Sequence, residues 1–383
     1  MHQVSVIAYF ADDPTRTYQL VQWLPVFELL DDTHRVGIVV RDPASAAVLR
    51  ARTALPVFAV PLFPDLTDLY AELDAKVVLY CNNSMLNFQS LIDGRALHAH
   101  INHGESDKQS MASNNAKAYD RVFVAGEAAV RRHAAGLLEF DTSRLVRTGR
   151  PQLDLRPASS LVPTSRRTVL YAPTWEGDAE YNDYTSVDTV GPEIVRAILA
   201  VPDVRLVYKP HPKLATSLKP PVRKAHHSIL ALVADAARRE PCAGHEAITV
   251  DDILTVIPDC DAMVTDVSSV GLDWLYLRTE KPIFVTDRHH DADRLRREVP
   301  VSRCADVIDD VVVADLTALI AARLEYDEHH LARVAMRHYY FDDLQIGDST
   351  VRFLDAVSEL VTLRDRLLGA VSSEDDTGSA ITA

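Results

Sequence analysis

Short apolar segments alternate with amphipathic segments along most of the chain. In the first half, strand-like apolar runs such as Val36–Val40 and Val77–Tyr80 are separated by stretches with helical spacing of apolar residues, such as 15–30. Strands that are apolar throughout are typical of parallel sheets that are buried on both faces. The pattern therefore predicts an α/β fold built on doubly wound parallel sheets.

A stretch rich in Pro, Ser and Thr at 156–165 interrupts this alternation, and a second alternating run follows it. This arrangement predicts two Rossmann-like domains that face each other across a cleft. We expect an N-terminal domain over 1–158, a C-terminal domain over 166–350, a last helix over 351–370 that packs back across both, and a disordered tail over 371–383.

Composition excludes several classes of protein. The 383 residues suffice for two domains, and the formal net charge of -15 opposes binding to nucleic acid. The four cysteines are scattered without a CxxC pair, which indicates reduced residues and neither a zinc site nor a disulfide framework. The N-terminal segment lacks the basic region of a signal peptide, and no apolar run is long enough to span a bilayer. We therefore expect a cytoplasmic protein.

His103 is the candidate for proton transfer. It follows the predicted strand at 99–102 and precedes Gly104, so it projects beyond the carboxyl end of a strand, and its near-neutral pKa suits a general base. The alternative is a structural histidine that bonds a neighbouring loop. His98 and His100 could share a metal ion, but no third ligand is evident, so a packed or solvated pair is expected.

The stretch 261–287 predicts an anion site. An apolar strand runs into Thr265 and Asp266, and Ser268 and Ser269 then open a helix, whose free N–H groups and positive dipole end suit a phosphate. The alternative is an ordinary turn in which Ser268 only caps the helix. Because a carboxylate repels phosphate, Asp266 is expected to order the turn or to hold a ribose or base edge.

Two further stretches end predicted strands in the second half. In the first, Thr174 could donate to a phosphate and Trp175 could line the cleft, or the stretch could be a tight turn with a buried indole. In the second, two prolines flank Lys209 and His211 in an extended loop, and both side chains suit phosphate oxygens. A rigid surface loop is the alternative there.

Taken together, these stretches resemble the CDP-glycerol glycerophosphotransferase family of teichoic-acid primases and polymerases. Asn102 stands where the family usually has Trp, and 105–108 differs from the usual Thr-Pro-Leu-Lys. Both departures lie in the part of the site that is expected to bind the acceptor. The late stretch 342–352 matches imperfectly. The matching motifs, in the family's order, are Asn102-His103-Gly104, Tyr171-Ala172-Pro173-Thr174-Trp175, Lys209-Pro210-His211-Pro212, and Thr265-Asp266-Val267-Ser268-Ser269 with Asp273 and Lys281-Pro282.

The resemblance implies a GT-B fold and transfer of glycerol phosphate, or a related polyol phosphate, from a CDP-activated donor, with release of CMP, in teichoic-acid-like or capsule polymer synthesis. His103 would be the catalytic base, and His211 would be a second catalytic residue that stabilises the charge on the pyrophosphate. The acceptor would be a glycan or carry glycerol phosphate, and contact with the inner face of the cell membrane would be at most peripheral. No cofactor or metal is expected. The implied substrate-binding residues are Gly104, Lys108, Thr174, Trp175, Lys209, Thr265, Asp266, Ser268, Ser269 and Asp273.

Two alternatives remain open from the sequence. The same fold could serve a nucleotide-sugar glycosyltransferase or a UDP-sugar 2-epimerase, for which Glu105 and Asp107 could supply acid and base groups. The chain could also be a non-catalytic nucleotide-binding protein that keeps the two-domain fold. Preference for CDP over UDP would distinguish the CDP-dependent transferase from the first alternative. Loss of turnover in His103→Ala with retained binding would distinguish an enzyme from the non-catalytic second alternative.

Overall fold

The computed structural model describes residues 4–177 and 179–378. Its internal contacts divide the chain into two compact units. Unit 1 takes in the described residues of Met1–Gly104, Ala112–Leu155 and Asp343–Ala383, and unit 2 those of Glu105–Met111 and Arg156–Asp342. A short segment after Gly104 thus belongs to unit 2 and the C-terminal helix to unit 1, which differs from the boundaries expected from the sequence.

Unit 1 contains a seven-stranded parallel sheet with the order β3-β2-β1-β4-β5-β6-β7. Alternate residues of β1 enter hydrophobic clusters on opposite faces of the sheet, with Val6 and Phe10 on one face and Ile7 and Tyr9 on the other. The strands are β1 Val6–Phe10, β2 Val36–Val40, β3 Val57–Ala59, β4 Val77–Tyr80, β5 Leu97–His100, β6 Arg121–Val124 and β7 Leu145–Arg147.

Unit 2 contains a six-stranded parallel sheet with the order β10-β9-β8-β11-β12-β13. In both sheets the chain winds outward in one direction, returns to the centre and then winds the other way, which is the Rossmann arrangement predicted from the sequence. The strands are β8 Arg167–Ala172, β9 Val204–Tyr208, β10 Glu246–Ala247, β11 Ala262–Thr265, β12 Ile283–Thr286 and β13 Asp306–Ile308.

Helices connect the strands of both sheets. The sequence predicts one helix over 15–30, but the structure divides this stretch at Trp23, because Pro25 lacks an N–H and lies in the first turn of a new helix. The helices are α1 Tyr18–Val21, α2 Leu24–Asp31, α3 Pro43–Arg50, α4 Phe63–Leu73, α5 Glu127–Gly136, α6 Pro151–Asp154, α7 Gly191–Leu199, α8 Pro220–Arg239, α9 Ser269–Leu277, α10 Ala292–Glu298, α11 Leu316–Glu325, α12 His330–Phe341 and α13 Asp348–Gly378.

The C-terminal helix α13 completes the core of unit 1. Phe353 and Val357 are fully buried in the same cluster as the β1 side chains. The hydroxyl and the backbone N–H of Thr350 both donate to Asp154 in α6, at 3.0 and 2.7 Å. The helix extends to Gly378, so 371–378 continue it where the sequence predicts a disordered tail, and 379–383 lie outside the described residues.

Candidate functional site

The strand order of unit 2 reverses between β8 and β11, which are neighbours in the sheet. Parallel α/β sheets bind ligands beyond the carboxyl ends of the strands at such a reversal, because the two connections leave toward opposite faces. The loop after β8 carries Thr174 and Trp175, and the loop after β11 carries Ser268. Strand β9, beside β8, ends at Tyr208, and Lys209 follows it directly. Unit 2 thus brings three of the predicted stretches to one edge of its sheet.

Asp266 orders the loops at this edge. Its side chain is buried, and it accepts hydrogen bonds from the Thr286 hydroxyl at 2.6 Å and from the Thr174 backbone N–H at 2.7 Å. Burial raises the pKa of Asp266 to about 6, while hydrogen bonds from Ser186 and Thr286 oppose that rise. The neighbouring Thr265 hydroxyl donates to the carbonyl of Ala172 at 2.8 Å. The turn-ordering role expected for Asp266 is thus accounted for, and direct contact of Thr265 or Asp266 with substrate stays a prediction.

Ser268 lies at the N-cap of α9 without capping it. Its side chain makes no capping hydrogen bond, and its hydroxyl oxygen is buried without a hydrogen-bond partner among the described residues. Ser269 begins the helix, and Asp273 is buried one turn further along. The first-turn N–H groups of α9 and the unsatisfied hydroxyl therefore offer several donors at the positive end of a helix dipole.

Lys209 is a buried cation. The residue is 6% exposed, and among residues 4–177 and 179–378 no carboxylate oxygen lies within 4.0 Å of its ammonium group. Burial lowers the pKa of Lys209, and the negative charges of Asp252 and Asp251 partly oppose this effect. Buried charges are normally paired, so an ammonium group in this situation suits an anionic ligand.

His211 is held beside Trp175. The two rings stack with centroids 6.0 Å apart, and the Lys213 ammonium lies 3.7 Å from the centroid of the indole. Nδ1 of His211 accepts a hydrogen bond from the Lys213 backbone N–H at 3.2 Å, which places the proton of the neutral ring on Nε2. The His211 backbone N–H donates to the carbonyl of Pro173 at 3.2 Å and joins the two loops. His211 can therefore present an N–H donor to a phosphate oxygen.

His103 lies in unit 1, beyond the carboxyl end of β5. Asn102 adopts the left-handed conformation with φ of 53°, and its side-chain oxygen accepts from the His103 backbone N–H at 2.8 Å. The indole N–H of Trp23 donates to the carbonyl of Asn102 at 2.6 Å, and the Tyr18 ring meets the imidazole edge-on, with centroids 6.2 Å apart. Asn tolerates positive φ far better than bulky residues do, which gives a local reason for Asn at this position.

The two remaining predicted residues of this stretch belong to different units. Gly104 ends the first segment of unit 1, and Lys108 lies in the segment Glu105–Met111, which belongs to unit 2. In unit 2 the Lys108 ammonium lies 5.9 Å from the centroid of the Tyr184 ring, and Tyr340 donates a hydrogen bond to Asp107. Glu105 and Ser106 are buried. The segment that follows His103 is therefore held by unit 2.

His98 and His100 are packed into unit 1. Nδ1 of His98 and the hydroxyl of Tyr80 share a hydrogen bond of 2.7 Å, and Nε2 of His100 bonds the carbonyl of Asn82 at 3.1 Å. Burial lowers the pKa of His100 to about 4. Both rings are thus engaged in the protein interior, as one of the sequence interpretations expected.

Elsewhere in the described chain, three side chains place potential metal-ligand atoms within 4.8 Å of one another: Asp306, Glu328 and His329. Arg323 forms ion pairs with both carboxylates, at 2.7 Å with Asp306. This group is therefore an ion-pair cluster around a guanidinium. No helix within the described ranges combines the length and the apolar character needed to cross a bilayer.

Several residues that contact the candidate site residues were not predicted from the sequence. Thr286 and Ser186 donate hydrogen bonds to Asp266, and Ser217 donates one to Glu176, which lies in the same loop as Trp175. Thr286 ends β12 just as Thr265 ends β11, so its position at a strand end is a signal that could have identified it. Ser186 and Ser217 lie in irregular segments far along the chain from their partners, and no pattern indicates them.

A family model described as CDP-Glycerol:Poly(glycerophosphate) glycerophosphotransferase matches residues 94–357 of this chain. No curated protein matches the chain at significant similarity. The matched range includes every residue that the sequence analysis placed in the site.

Solved structures similar to this chain include a putative UDP-N-acetylglucosamine 2-epimerase from Listeria monocytogenes, with 14% identity, a TM-score of 0.61, and 93% of this chain and 96% of that chain covered. A His-to-Ala variant of the wall teichoic acid polymerase TagF has 14% identity and a TM-score of 0.59, covering 94% and 90%. A His-to-Asn variant of TagF soaked with CDPG has 13% identity and a TM-score of 0.59, covering 94% and 89%. At these identities the similarity establishes the fold, which is the GT-B class expected from the sequence.

Proposed function

Because the chain belongs to the CDP-glycerol:poly(glycerophosphate) glycerophosphotransferase family, a family of transferases, we propose that it moves glycerol phosphate from CDP-glycerol, or a related polyol phosphate from its CDP donor, to an acceptor hydroxyl. The observation that carries the proposal is the buried ammonium group of Lys209, which has no carboxylate partner among the described residues and lies at the edge of the sheet where nucleotides bind. A pyrophosphate supplies the missing negative charge.

The donor would be held by unit 2. The ammonium of Lys209 and the Nε2–H of His211 would bind pyrophosphate oxygens, and the hydroxyl of Ser268 with the N–H groups at the start of α9 would bind the phosphate of the departing CMP. Ser269, Thr174 and Asp273 lie on the same loops and helix. Trp175 would line the site beside His211. Phosphoryl transfer depends mainly on positioning and on stabilisation of charge, and these groups supply both.

In the reaction, the acceptor oxygen would attack the phosphorus that carries the glycerol. His103 would take the proton of the acceptor hydroxyl as the new P–O bond forms. The bond from this phosphorus to the oxygen that bridges to CMP would break, and CMP would leave with the electron pair. Gly104 and Lys108 follow His103 in the sequence and are proposed to contact substrate.

The acceptor and the cellular setting are part of the proposal. A glycan or a glycerol-phosphate chain would supply the hydroxyl, in the synthesis of a teichoic-acid-like or capsule polymer, as the names of the TagF structures suggest by similarity of fold. The enzyme would work in the cytoplasm, in at most peripheral contact with the inner face of the cell membrane. No nucleic acid would take part.

Nucleotide binding tests the proposal. Thermal unfolding should be measured with CDP-glycerol, CDP, UDP-N-acetylglucosamine and UDP at millimolar concentration, and binding should be confirmed by calorimetry. A ligand at 100 times its Kd stabilises the folded state by about 2.7 kcal/mol, so CDP-glycerol should raise the melting temperature by several degrees. Indifference to every CDP compound would overturn the proposal, and preference for UDP-N-acetylglucosamine would favour a glycosyltransferase or a 2-epimerase.

A further inference from the structure

Glu176 is a buried carboxylate that the proposed reaction does not use. It follows Trp175 in the loop after β8, and the residue is 6% exposed. Oε1 accepts a hydrogen bond from the hydroxyl of Ser217, which is itself buried. Oε2 is buried, and it has no hydrogen-bond partner among the described residues. Oε1 is therefore held by a hydrogen bond, and Oε2 lacks a donor among the described residues.

The surroundings do not neutralise Glu176. Within the described ranges, no Lys, Arg or His nitrogen lies within 4.0 Å of its oxygens. A carboxylate can accept several hydrogen bonds, and leaving a buried oxygen without one costs free energy in the folded protein. Buried polar groups in folded proteins are normally hydrogen-bonded, so this oxygen calls for a donor from outside the described residues, and a ligand can supply one.

The backbone holds Glu176 in place. The next residue, Gly177, has φ of 72°, and a Cβ there would lie 2.8 Å from the carbonyl oxygen of Asn182. Only glycine fits this position without moving the chain. On the other side, Ser217 ends the turn Pro212–Thr216 that begins at His211. Glu176 is thus fixed between the two loops that carry Trp175 and His211.

We propose that Oε2 of Glu176 accepts a hydrogen bond from a hydroxyl or amine of the CDP-polyol donor. The inference rests on the proposed function and adds a specificity contact to the same site. The partner cannot be a phosphate oxygen, because two anions would repel each other there. It must be a neutral, hydrogen-bearing part of the donor, namely a hydroxyl of the polyol or a hydroxyl or amine of the nucleoside. Glu176 would also reject a donor that carries a further phosphate at that point.

The test compares wild-type protein with Glu176→Gln by calorimetry, using CDP-glycerol, CDP and UDP as probes. The amide keeps the shape of the side chain but removes the charge and one acceptor. The Kd for CDP-glycerol should rise by about ten- to a hundredfold, since hydrogen bonds to charged groups are the strong ones. The melting temperature of the free variant should stay equal or rise, because an unsatisfied buried charge has been removed. A merely structural Glu176 would give the opposite, a lower melting temperature and an unchanged Kd.

The pattern across the probes identifies the hydrogen bond. A loss confined to CDP-glycerol assigns it to the polyol, whereas an equal loss for CDP-glycerol and CDP assigns it to the nucleoside. If the loss extends to UDP, the ribose is the source, and if UDP is unaffected, the cytosine amine is. Each of these results supports the inference.

Two controls keep the result decisive. Glu180→Gln changes an exposed carboxylate on the same loop and should leave every Kd unchanged. If Glu176→Gln fails to fold, Glu176→Asp keeps the charge and shortens its reach, and the same loss of CDP-glycerol affinity is expected. A Kd within twofold of wild type for the folded variant would overturn this inference alone. Failure of the wild-type protein to bind any CDP compound would overturn the proposed function as well.

Discussion

The carboxylate of Asp266, which directly follows β11, accepts a hydrogen bond of 2.6 Å from the hydroxyl of Thr286 at the end of β12. The other oxygen of the same carboxylate accepts from the backbone N–H of Thr174, 2.7 Å away in the loop after β8. One buried side chain therefore links three consecutive strand ends of the unit 2 sheet. Because Ser268 follows two residues later, the position of the proposed anion site depends on this link.

Thr286→Val should destabilise unit 2 and disturb the site. Valine keeps the shape of threonine but removes the hydroxyl, so a buried carboxylate oxygen loses a donor, which should cost about 1–3 kcal/mol. Urea unfolding checks the loss of stability, and calorimetry with CDP-glycerol should show weaker binding. Thr216→Val is the matched control, since Thr216 is exposed and its hydroxyl makes a longer contact of 3.4 Å. Equal stability of both variants would contradict the linking role.

Lys209→Met should separate donor binding from folding. Methionine keeps most of the length and apolar surface of lysine while removing a buried charge that lacks a carboxylate partner among the described residues. The Kd for CDP-glycerol should rise by roughly ten- to a hundredfold, and the melting temperature of the free protein should not fall. Calorimetry and thermal unfolding measure the two effects.

An exposed lysine of the same unit provides the comparison for Lys209. Lys224→Met changes an exposed position on α8 and should alter neither quantity by much. If Lys209→Met unfolds the protein while its affinity for CDP-glycerol, measured at low temperature, stays unchanged, the loop is structural and the donor site lies elsewhere.

The sequence predicts the central strands well and the edges poorly. Strands β2 and β4 have the bounds expected from their apolar runs, because both are buried on two faces and carry little else. The edge strands β7 and β13 were missed, since each has only three residues and includes a charged side chain. The edge strand β10, Glu246–Ala247, has only two residues, one of them charged, and forms through its pairing with β9.

The placement of candidate residues beyond strand ends was predictable where the residues follow strands directly. His103 in unit 1, and Thr174, Lys209 and Ser268 in unit 2, were selected because each lies just beyond an apolar run. Parallel strands bring such positions to one edge of their own sheet. The partners that hold these residues were not predictable. Trp23 and Asn102 are 79 positions apart, and Glu176 and Ser217 are 41 apart. Such pairs form through tertiary packing between distant parts of the chain, and no local pattern in the sequence indicates them.

The pH dependence of unit 1 should include a contribution from His100. Burial lowers its pKa from 6.5 to about 4 in the folded protein. Between those two values the unfolded chain takes up a proton that the folded chain refuses, so the free energy of unfolding should fall as pH falls from about 6.5 to 4. The contribution is fully present above pH 6.5, and its complete loss amounts to about 3 kcal/mol.

His100→Gln provides the measurement for this contribution. Glutamine can still donate to the carbonyl of Asn82 but does not titrate in this range. The difference in unfolding free energy between pH 7 and pH 4 should therefore be about 3 kcal/mol smaller than in wild type. His227→Gln, at an exposed position, should leave that difference nearly unchanged. Identical pH profiles for wild type and His100→Gln would show that the ring is not held neutral.

Trp23→Phe should slow turnover through the placement of His103. Phenylalanine retains the ring that packs on Phe27 and Phe353, but it removes the N–H that donates to the carbonyl of Asn102 at 2.6 Å. The left-handed Asn102 and the imidazole after it should then shift, and kcat should fall by about ten- to a hundredfold. The Kd for CDP-glycerol should be unchanged. A rise in Kd with normal kcat would place Trp23 in donor binding instead.

His103→Ala tests whether the imidazole is the general base. Loss of a general base typically lowers kcat by about 10²–10⁴-fold, so release of CMP from CDP-glycerol, with an oligo(glycerol phosphate) as the acceptor, should nearly stop. The Kd for CDP-glycerol should stay close to wild type, because the groups proposed to bind the donor belong to unit 2 and His103 to unit 1. The half-buried ring also contacts Tyr18, so a modest fall in melting temperature is expected.

His227→Ala removes an exposed imidazole and should change none of these quantities. Undiminished CMP release by the folded His103→Ala protein would remove His103 from the proposed reaction. It would not affect the donor site proposed in unit 2, because the two assignments rest on separate observations.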